Sequence, residues 1–448
     1  MLIRPSRAFP SACGRIRAPV VLRRSERKLC NARSRSAGFF HLPNMIYQPP
    51  AGARDLLPLE VEQKRWINDR LLHQFQAWGY QRIVTSTLEW VDTLTAGGAI
   101  KSDKVIQLRN DGEHSLGLRP DLTPSIARAA VTRMAGSTDP QRLCYRANVF
   151  RNSPQTNHGR QLEFYQAGVE LLFAGGILAD GETILLLAEC LQDLGVPDWS
   201  ILLGEAGLTR SLLAVFPEAV RTQVRTCIAN LDRITLESLD LNPELKQQAL
   251  MLFDLRGKPE EVLSRISELD LDDEAQTTVN NLESLIELLN SSSERPLPLT
   301  LDLSLLQTFD YYTGIVFKAV SFQNYQSYIL AEGGRYDRLL GLYDPQGQTS
   351  PGIGFYLSIE DLHSCLLATN KLPQQVPSSD CLVVPASPLA ASAALKYARQ
   401  LRQDKSLKVE VELSDRSEAE VKQYARTCWI EQLIWIEADG TSRVEALD

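Results

Sequence analysis

Glu163-Phe-Tyr-Gln-Ala-Gly-Val-Glu170 decides how this chain folds. Its aromatics and Val169 suit a strand. Side chains alternate across a strand, so Gln166 and Glu170 share one face while Glu163 takes the other. Gly168 stands between Gln166 and Glu170 and leaves room there for a ligand. Taken alone, the segment fits both a pocket wall and a solvated strand face.

Working outward, Val149-Phe-Arg151 and Gly159-Arg160 put two arginines on a neighbouring antiparallel segment. Leu118-Arg-Pro-Asp-Leu-Thr-Pro124 sets Arg119 and Asp121 beside a strand end. Phe309-Asp-Tyr-Tyr-Thr-Gly314 and Glu332-Gly-Gly-Arg-Tyr-Asp337 read as turns rich in Gly and Tyr, with acids. A tyrosine at a cleft offers a flat apolar ring and a hydroxyl, which suits a small heteroaromatic ligand. Tyrosines in ordinary core and turn positions read the same way. The histidines at 41, 73, 114, 158 and 363 show no triad or metal spacing and take no role, and His73 falls on the polar side of a helix.

Around these segments the periodicity predicts a helix over 58–78, where Ile67, Leu71, Phe75 and Trp78 recur at three- and four-residue steps. Pro58 suits its first turn, and Gly79 closes it. Strands are expected at 82–88, 116–119, 143–151, 163–171, 299–306 and 314–320. Between about 205 and 298 the composition is helical (211–230, 243–253, 259–269, 275–290), so this stretch reads as a helical insertion within a core of 45–370. A polar linker at 371–380 leads to a small unit, 381–448, with strands at 381–385, 407–413 and 432–437 and helices at 391–402 and 417–426. Ser417 and Glu420 form a capping box there. Alternating β and α of this length indicates a small, mainly parallel α/β domain.

The chain has 448 residues, enough for two or three domains by a prior of roughly 150 each. With 44% hydrophobic and 23% charged residues it has the composition of a soluble protein, and no apolar run reaches the length of a membrane span. Residues 1–44 carry nine Arg and one Lys against Glu26. They read either as a transit-like segment or, the preferred reading, as residues upstream of a natural start at Met45, and they are expected to be disordered and outside the fold. The rest holds 37 basic and 54 acidic residues, a formal charge of -17. That balance is poor for holding a polyanion such as tRNA, although plain solubility accounts for it equally. The eight cysteines form no CxxC pair and lie near no His at ligand spacing, so no disulfide framework or zinc site is expected, and a reducing, cytoplasmic setting fits.

As a set, Ala51-Gly-Ala-Arg-Asp-Leu-Leu-Pro58, Leu118-Arg-Pro-Asp121, Phe150-Arg151, Gly159-Arg160, Phe164-Tyr-Gln166 through Glu170, Asp310-Tyr-Tyr312 and Gly333-Gly-Arg-Tyr-Asp337 stand in the order and rough spacing of histidyl-tRNA synthetase, over about residues 47–448. The resemblance implies an α+β fold. Its parts would be a class II aminoacyl-tRNA synthetase-like antiparallel sheet of six to seven strands with flanking helices, and a small C-terminal α/β domain resembling a truncated anticodon-binding domain. It also implies a histidine pocket. Asp121, a Glu in the synthetases, would hold the α-amino group with Gln166, while Glu170, Tyr312 and Tyr336 would surround the imidazole. Arg151 matches the residue that grips the ATP α-phosphate, and Arg160 matches a further phosphate contact.

The departures bear on activity. Forming an adenylate requires positioned cations at the phosphates. Where the synthetases carry an arginine before Asp-Tyr-Tyr this chain has Gln307, and where they carry a second near the γ-phosphate it has Asp361. A unit-charge pair at 4 Å near a surface is worth about 4 kcal/mol before desolvation, and at Asp361 the sign is reversed. Leu162 also stands where an Arg is usual, and Ser86 replaces the proline of the dimer-interface motif. This profile resembles the synthetase-like paralogues that serve as regulatory subunits of ATP phosphoribosyltransferase. It implies no catalytic residues, cofactor or metal of its own, a core dimer within a hetero-octamer with the short catalytic subunit, and L-histidine as effector in feedback control of histidine biosynthesis. An active histidyl-tRNA synthetase and a free-standing histidine sensor are the alternatives.

Overall fold

The computed structural model describes residues 49–98, 100–109, 114–136, 139–152, 161–305, 311–323, 325–404 and 406–447. The expectations for 1–44, Arg160 and Gln307 lie outside the described residues.

Helix α1 (Pro58–Ala77) starts with proline where no N–H is needed and buries Ile67, Leu71 and Phe75 on one face. Beyond it, the single strand expected at 82–88 is two short ones, β1 (Gln81–Arg82) and β2 (Leu88–Trp90). The reason is Arg119, whose guanidinium donates to the carbonyls of Thr85 and Ser86 at 2.8 and 3.0 Å. An arginine thus takes the place of a strand partner. After α2 (Val91–Thr95), β3 (Ile106–Leu108) and β4 (Leu116–Leu118) complete a three-stranded antiparallel sheet, ordered β2-β4-β3. Helix α3 (Thr123–Arg133) leads to β5 (Gln141–Phe150), β6 (Glu163–Leu172), α4 (Gly176–Leu194) and β7 (Trp199–Glu205).

Next come α5 (Ala206–Ala214), α6 (Glu218–Ala229), α7 (Arg233–Ser238), α8 (Pro243–Asp254), β8 (Arg256–Gly257), α9 (Pro259–Ile266) and α10 (Asp273–Ser292). The helix expected over 211–230 is broken at Pro217, which adopts ψ 142° and becomes the cap of α6. A proline there cannot donate to the preceding turn. The chain returns through β9 (Leu299–Asp302), β10 (Ile315–Gln323), β11 (Gln326–Arg335), β12 (Gly352–Ser358) and α11 (Ile359–Leu366). Glu332-Gly-Gly-Arg335, expected as a turn, is the end of strand β11.

These strands form one nine-stranded sheet, β1-β5-β6-β12-β11-β10-β7-β9-β8, wider than the expected six to seven. It is antiparallel except for the β1/β5 and β7/β9 pairs. Ala167, Val169 and Leu171 of β6 point into a core shared with α1 and α4, while Leu172 joins Tyr145, Val149, Tyr312, Tyr336 and α3 on the opposite face. Burying each such side chain contributes roughly 1.5–3 kcal/mol, which fixes the register and hence the face of every polar residue between them.

The last unit has β13 (Cys381–Pro385), α12 (Ala391–Asp404), β14 (Val409–Val411), α13 (Glu418–Thr427), β15 (Gln432–Ile436) and β16 (Ser442–Ala446). Its sheet is parallel across β14-β13-β15 with β16 antiparallel at the edge. The Ser417–Glu420 capping box is present. Among the described residues no helix is long and apolar enough to cross a membrane.

Candidate functional site

The face of the sheet under α3 gathers the polar residues. Gln166 and Glu170 of β6 project to this side, and both are almost fully buried. Asp121 follows β4 and is equally buried. Its Oδ1 accepts from the Leu122 N–H at 2.8 Å and its Oδ2 from the Tyr311 hydroxyl at 3.3 Å. Burial pushes the Asp121 carboxyl above the usual range, although the Arg151 charge and these hydrogen bonds pull the other way. Arg119, two residues earlier, is not part of the pocket: besides bracing residues 85 and 86, its Nε donates to the Asn148 carbonyl.

Glu170 is the centre of the cluster. Thr123 donates its hydroxyl to Oε1 at 2.7 Å, and the Tyr336 hydroxyl donates to Oε2. Burial pushes this carboxyl up to about 8, against the pull of those two donors. Near neutral pH burial therefore favours the protonated form of this carboxyl. Its carboxylate lies where a Cβ on Gly354, its partner across β12, would sit, so only glycine fits there. Tyr312 and Tyr336 both flank Tyr311, at ring separations of 4.7 and 6.0 Å.

Gly168 does not leave the open gap that the sequence suggested. Tyr145, its partner on β5, brings its hydroxyl to 2.6 Å from where a Gly168 Cβ would be. The glycine is needed to seat a tyrosine of the protein itself. Gln166 Oε1, beside it, is buried and has no hydrogen-bond partner among the described residues. A buried acceptor without a donor costs about 1–3 kcal/mol, which a ligand N–H would recover.

Arg151 closes one side. Its Nε donates to the Pro120 carbonyl at 2.9 Å, its guanidinium carbon lies 5.6 Å from the Tyr356 ring and 5.9 Å from the Phe164 ring, and its Nη2 is buried with no partner among the described residues. Asp361 sits in the first turn of α11, where Ser358 caps the helix and lies 2.5 Å from the Asp361 carboxylate. An anion is favourable at this helix end. Its neighbour Glu360 is buried and bound to Lys64 Nζ at 3.1 Å.

The structure thus brings Asp121, Gln166, Glu170, Tyr312 and Tyr336 into one cluster and sets Arg151 at its edge. Sequence reasoning missed Thr123, Tyr145, Tyr311, Glu332 and Tyr356 as members. Thr123, Tyr311 and Glu332 lay inside segments singled out from the sequence, while Tyr145 and Tyr356 join only through cross-strand register. Two buried carboxyls, an orphan acceptor and a set of tyrosines suit a small molecule carrying several N–H donors and a flat ring. No group of three potential metal ligands occurs among the described residues. Grooves of about 910 and 720 Å³, lined in part by Trp78 with Trp199 and by Gln63 with His363, contain none of the clustered residues.

Comparison with known proteins shows what the chain as a whole resembles. The family model described as histidyl-tRNA synthetase matches residues 52–362. A protein of Gloeothece citriformis named ATP phosphoribosyltransferase regulatory subunit is 61% identical over 407 residues, covering 90% of this chain and all of that one. One of the same name from Rippkaea orientalis is 59% identical over 405 residues, with the same coverage. Among solved structures, an ATP phosphoribosyltransferase regulatory subunit/histidyl-tRNA synthetase from Bacillus halodurans superposes with a TM-score of 0.73 at 27% identity, over 88% of this chain and 99% of that one. A histidyl-tRNA synthetase from a Nostoc species gives 0.70 at 21% identity, over 90% and 97%, and shares the fold.

Proposed function

The chain belongs to the histidyl-tRNA synthetase-like family of ATP phosphoribosyltransferase regulatory subunits, and from that premise we propose that it binds histidine without activating it and passes the occupancy of its pocket to a catalytic partner. The observation that carries this reading is the buried Gln166 Oε1, without a hydrogen-bond partner among the described residues, beside two buried carboxyls. Histidine's α-ammonium would donate to Gln166 and Asp121, and its imidazole N–H would reach Glu170 between Tyr312 and Tyr336. Activation would need cations at the ATP phosphates, and the chain offers Gln307 and Asp361 at the two positions where the synthetases hold arginine. A binding role, with no catalytic step of its own, follows from that substitution.

The partner in this reading is the short catalytic subunit of ATP phosphoribosyltransferase, in a cytoplasmic hetero-octamer built around a dimer of this chain. An apolar sheet face supports the dimer. Leu88, Trp90 and Leu108 are 44%, 45% and 38% exposed and stand on one side of the β2-β4-β3 sheet, a face too apolar to favour water. Histidine can regulate only by binding two states of the assembly unequally; a coupling of about 1–3 kcal/mol gives about 5- to 150-fold. The domains in this reading are the core to residue 370, the linker 371–380 and the unit 381–448, with the acidic surface ill suited to tRNA.

Titration calorimetry of the chain with histidine and then ATP tests the proposal. Histidine binding, no ATP binding and no histidine-dependent pyrophosphate exchange are expected. Exchange at a synthetase-like rate would return an active histidyl-tRNA synthetase to first place. Addition of the short catalytic subunit should then give a complex whose phosphoribosyltransferase activity falls as histidine is added.

A further inference from the structure

One row of residues crosses five strands on the pocket side of the sheet. Lys318 of β10 lies opposite Glu332 of β11, Glu332 opposite Tyr356 of β12, Tyr356 opposite Gly168 of β6, and Gly168 opposite Tyr145 of β5. Residues directly opposite in a sheet share a face, so Lys318, Glu332 and Tyr356 stand on the same side as Gln166 and Glu170. The row is bonded along its length. Lys318 Nζ is 2.7 Å from Glu332 Oε1, and the Tyr356 hydroxyl donates to Glu332 Oε2.

This row meets Arg151. The Tyr356 ring lies 5.6 Å from the guanidinium carbon. Glu332 is kept ionised: burial alone would raise its carboxyl, but Lys318, Tyr356 and Arg151 together hold it below the usual range. A fixed anion therefore stands behind the tyrosine whose side chain meets the arginine. For a ligand carrying a triphosphate, Glu332 offsets the Arg151 charge that a phosphate would seek, and the Tyr356 side chain takes up space beside it. A zwitterionic amino acid is smaller and has no net charge, so it depends less on that cation.

We propose that Tyr356 and Glu332 make this site selective for a free amino acid by closing it to nucleoside triphosphates. The inference rests on reading the adjoining pocket as an amino-acid site, and it adds a barrier separate from the substitutions at 307 and 361. Tyr356 supplies bulk, Glu332 supplies charge, and Lys318 holds Glu332 in place.

The test is calorimetry of the full chain with Mg-ATP and, separately, with histidine, comparing wild type with Glu332→Gln, Tyr356→Phe and the pair Glu332→Gln/Tyr356→Ala. Wild type and Tyr356→Phe should bind no measurable ATP, since phenylalanine keeps the ring. The pair should gain ATP affinity at least tenfold above the detection limit, and Glu332→Gln, nearly isosteric, should gain part of it. Histidine binding should be retained in all of them as a check that the site is folded, with its affinity free to change. The gain must persist when Lys318→Gln is added, because an unpaired lysine would attract any anion. The proposal is overturned if the pair still binds histidine but no ATP, or if wild type already binds ATP. Loss of histidine binding in wild type would instead sink the functional reading, and the ATP comparison would still judge the row.

Discussion

Tyr336 donates its hydroxyl to Glu170 across 166 positions of sequence, and that bond ties the turn after β11 to the last part of β6. It holds a carboxyl whose burial pushes it up to about 8, while an unfolded glutamate titrates near 4.5.

Between those two values the folded chain binds more protons than the unfolded one, so the contribution of Glu170 is fully present below about 4.5 and is lost as pH rises through about 8. A shift of this size amounts to a few kcal/mol in order of magnitude. Glu170→Gln cannot ionise. The unliganded variant should therefore gain stability over wild type as pH is raised from 5 to 9, seen as a widening gap in melting temperature. Histidine affinity should fall at least about 100-fold, since the imidazole N–H loses an acceptor that can carry charge. A constant melting-temperature gap across that range would mean that Glu170 titrates normally.

Gln166→Met separates binding from folding in the same way. A buried acceptor such as Gln166 Oε1, without a partner among the described residues, costs about 1–3 kcal/mol, and methionine of similar volume removes it. The variant should melt at or above wild type in the absence of ligand and bind histidine about tenfold more weakly. Equal loss of both would assign Gln166 a structural role.

The pairing of Gln166 and Glu170 on one face was legible because strand alternation is a local rule. The capping box at Ser417 was legible for the same reason. What failed depended on partners distant in sequence. Tyr145 fills the space over Gly168 only through the β5/β6 register, and Arg119 splits the strand expected at 82–88 by reaching two carbonyls more than thirty positions away. Edge strand β16 escaped because Ser442-Arg-Val-Glu-Ala446 is polar, although Asp439-Gly440 before it is a hairpin signal. Pro217 was a local signal that helix-forming neighbours obscured.

The apolar face of the β2-β4-β3 sheet gives a prediction about assembly. Trp90 stands beside Leu116, which in turn stands beside Leu108, and it is 45% exposed. Trp90→Glu puts a charge on that face and should convert a dimer to monomers in sedimentation velocity, with the melting temperature of the monomer little changed. A wild-type monomer at micromolar concentration would remove the dimer from the reading.

Lys64 and Glu360 test how the pocket strand is held from behind. Strand β12 ends at Ser358, opposite Gln166, so the N–H of Tyr165 has no strand neighbour, and Glu360 Oε2 accepts it at 3.1 Å. The other Glu360 oxygen takes Lys64 Nζ at 3.1 Å, and the two side chains are only 6% and 4% exposed. Removing one partner of a buried pair leaves the other uncompensated, at about 3–5 kcal/mol. Lys64→Met should therefore lower the urea midpoint by roughly that energy and, through a loosened Tyr165, weaken histidine binding at the adjacent Gln166. Lys64→Met with Glu360→Gln should recover most of both, because glutamine still accepts from Tyr165 and carries no charge. Additive losses in the double variant would show that the two residues do not act as a pair.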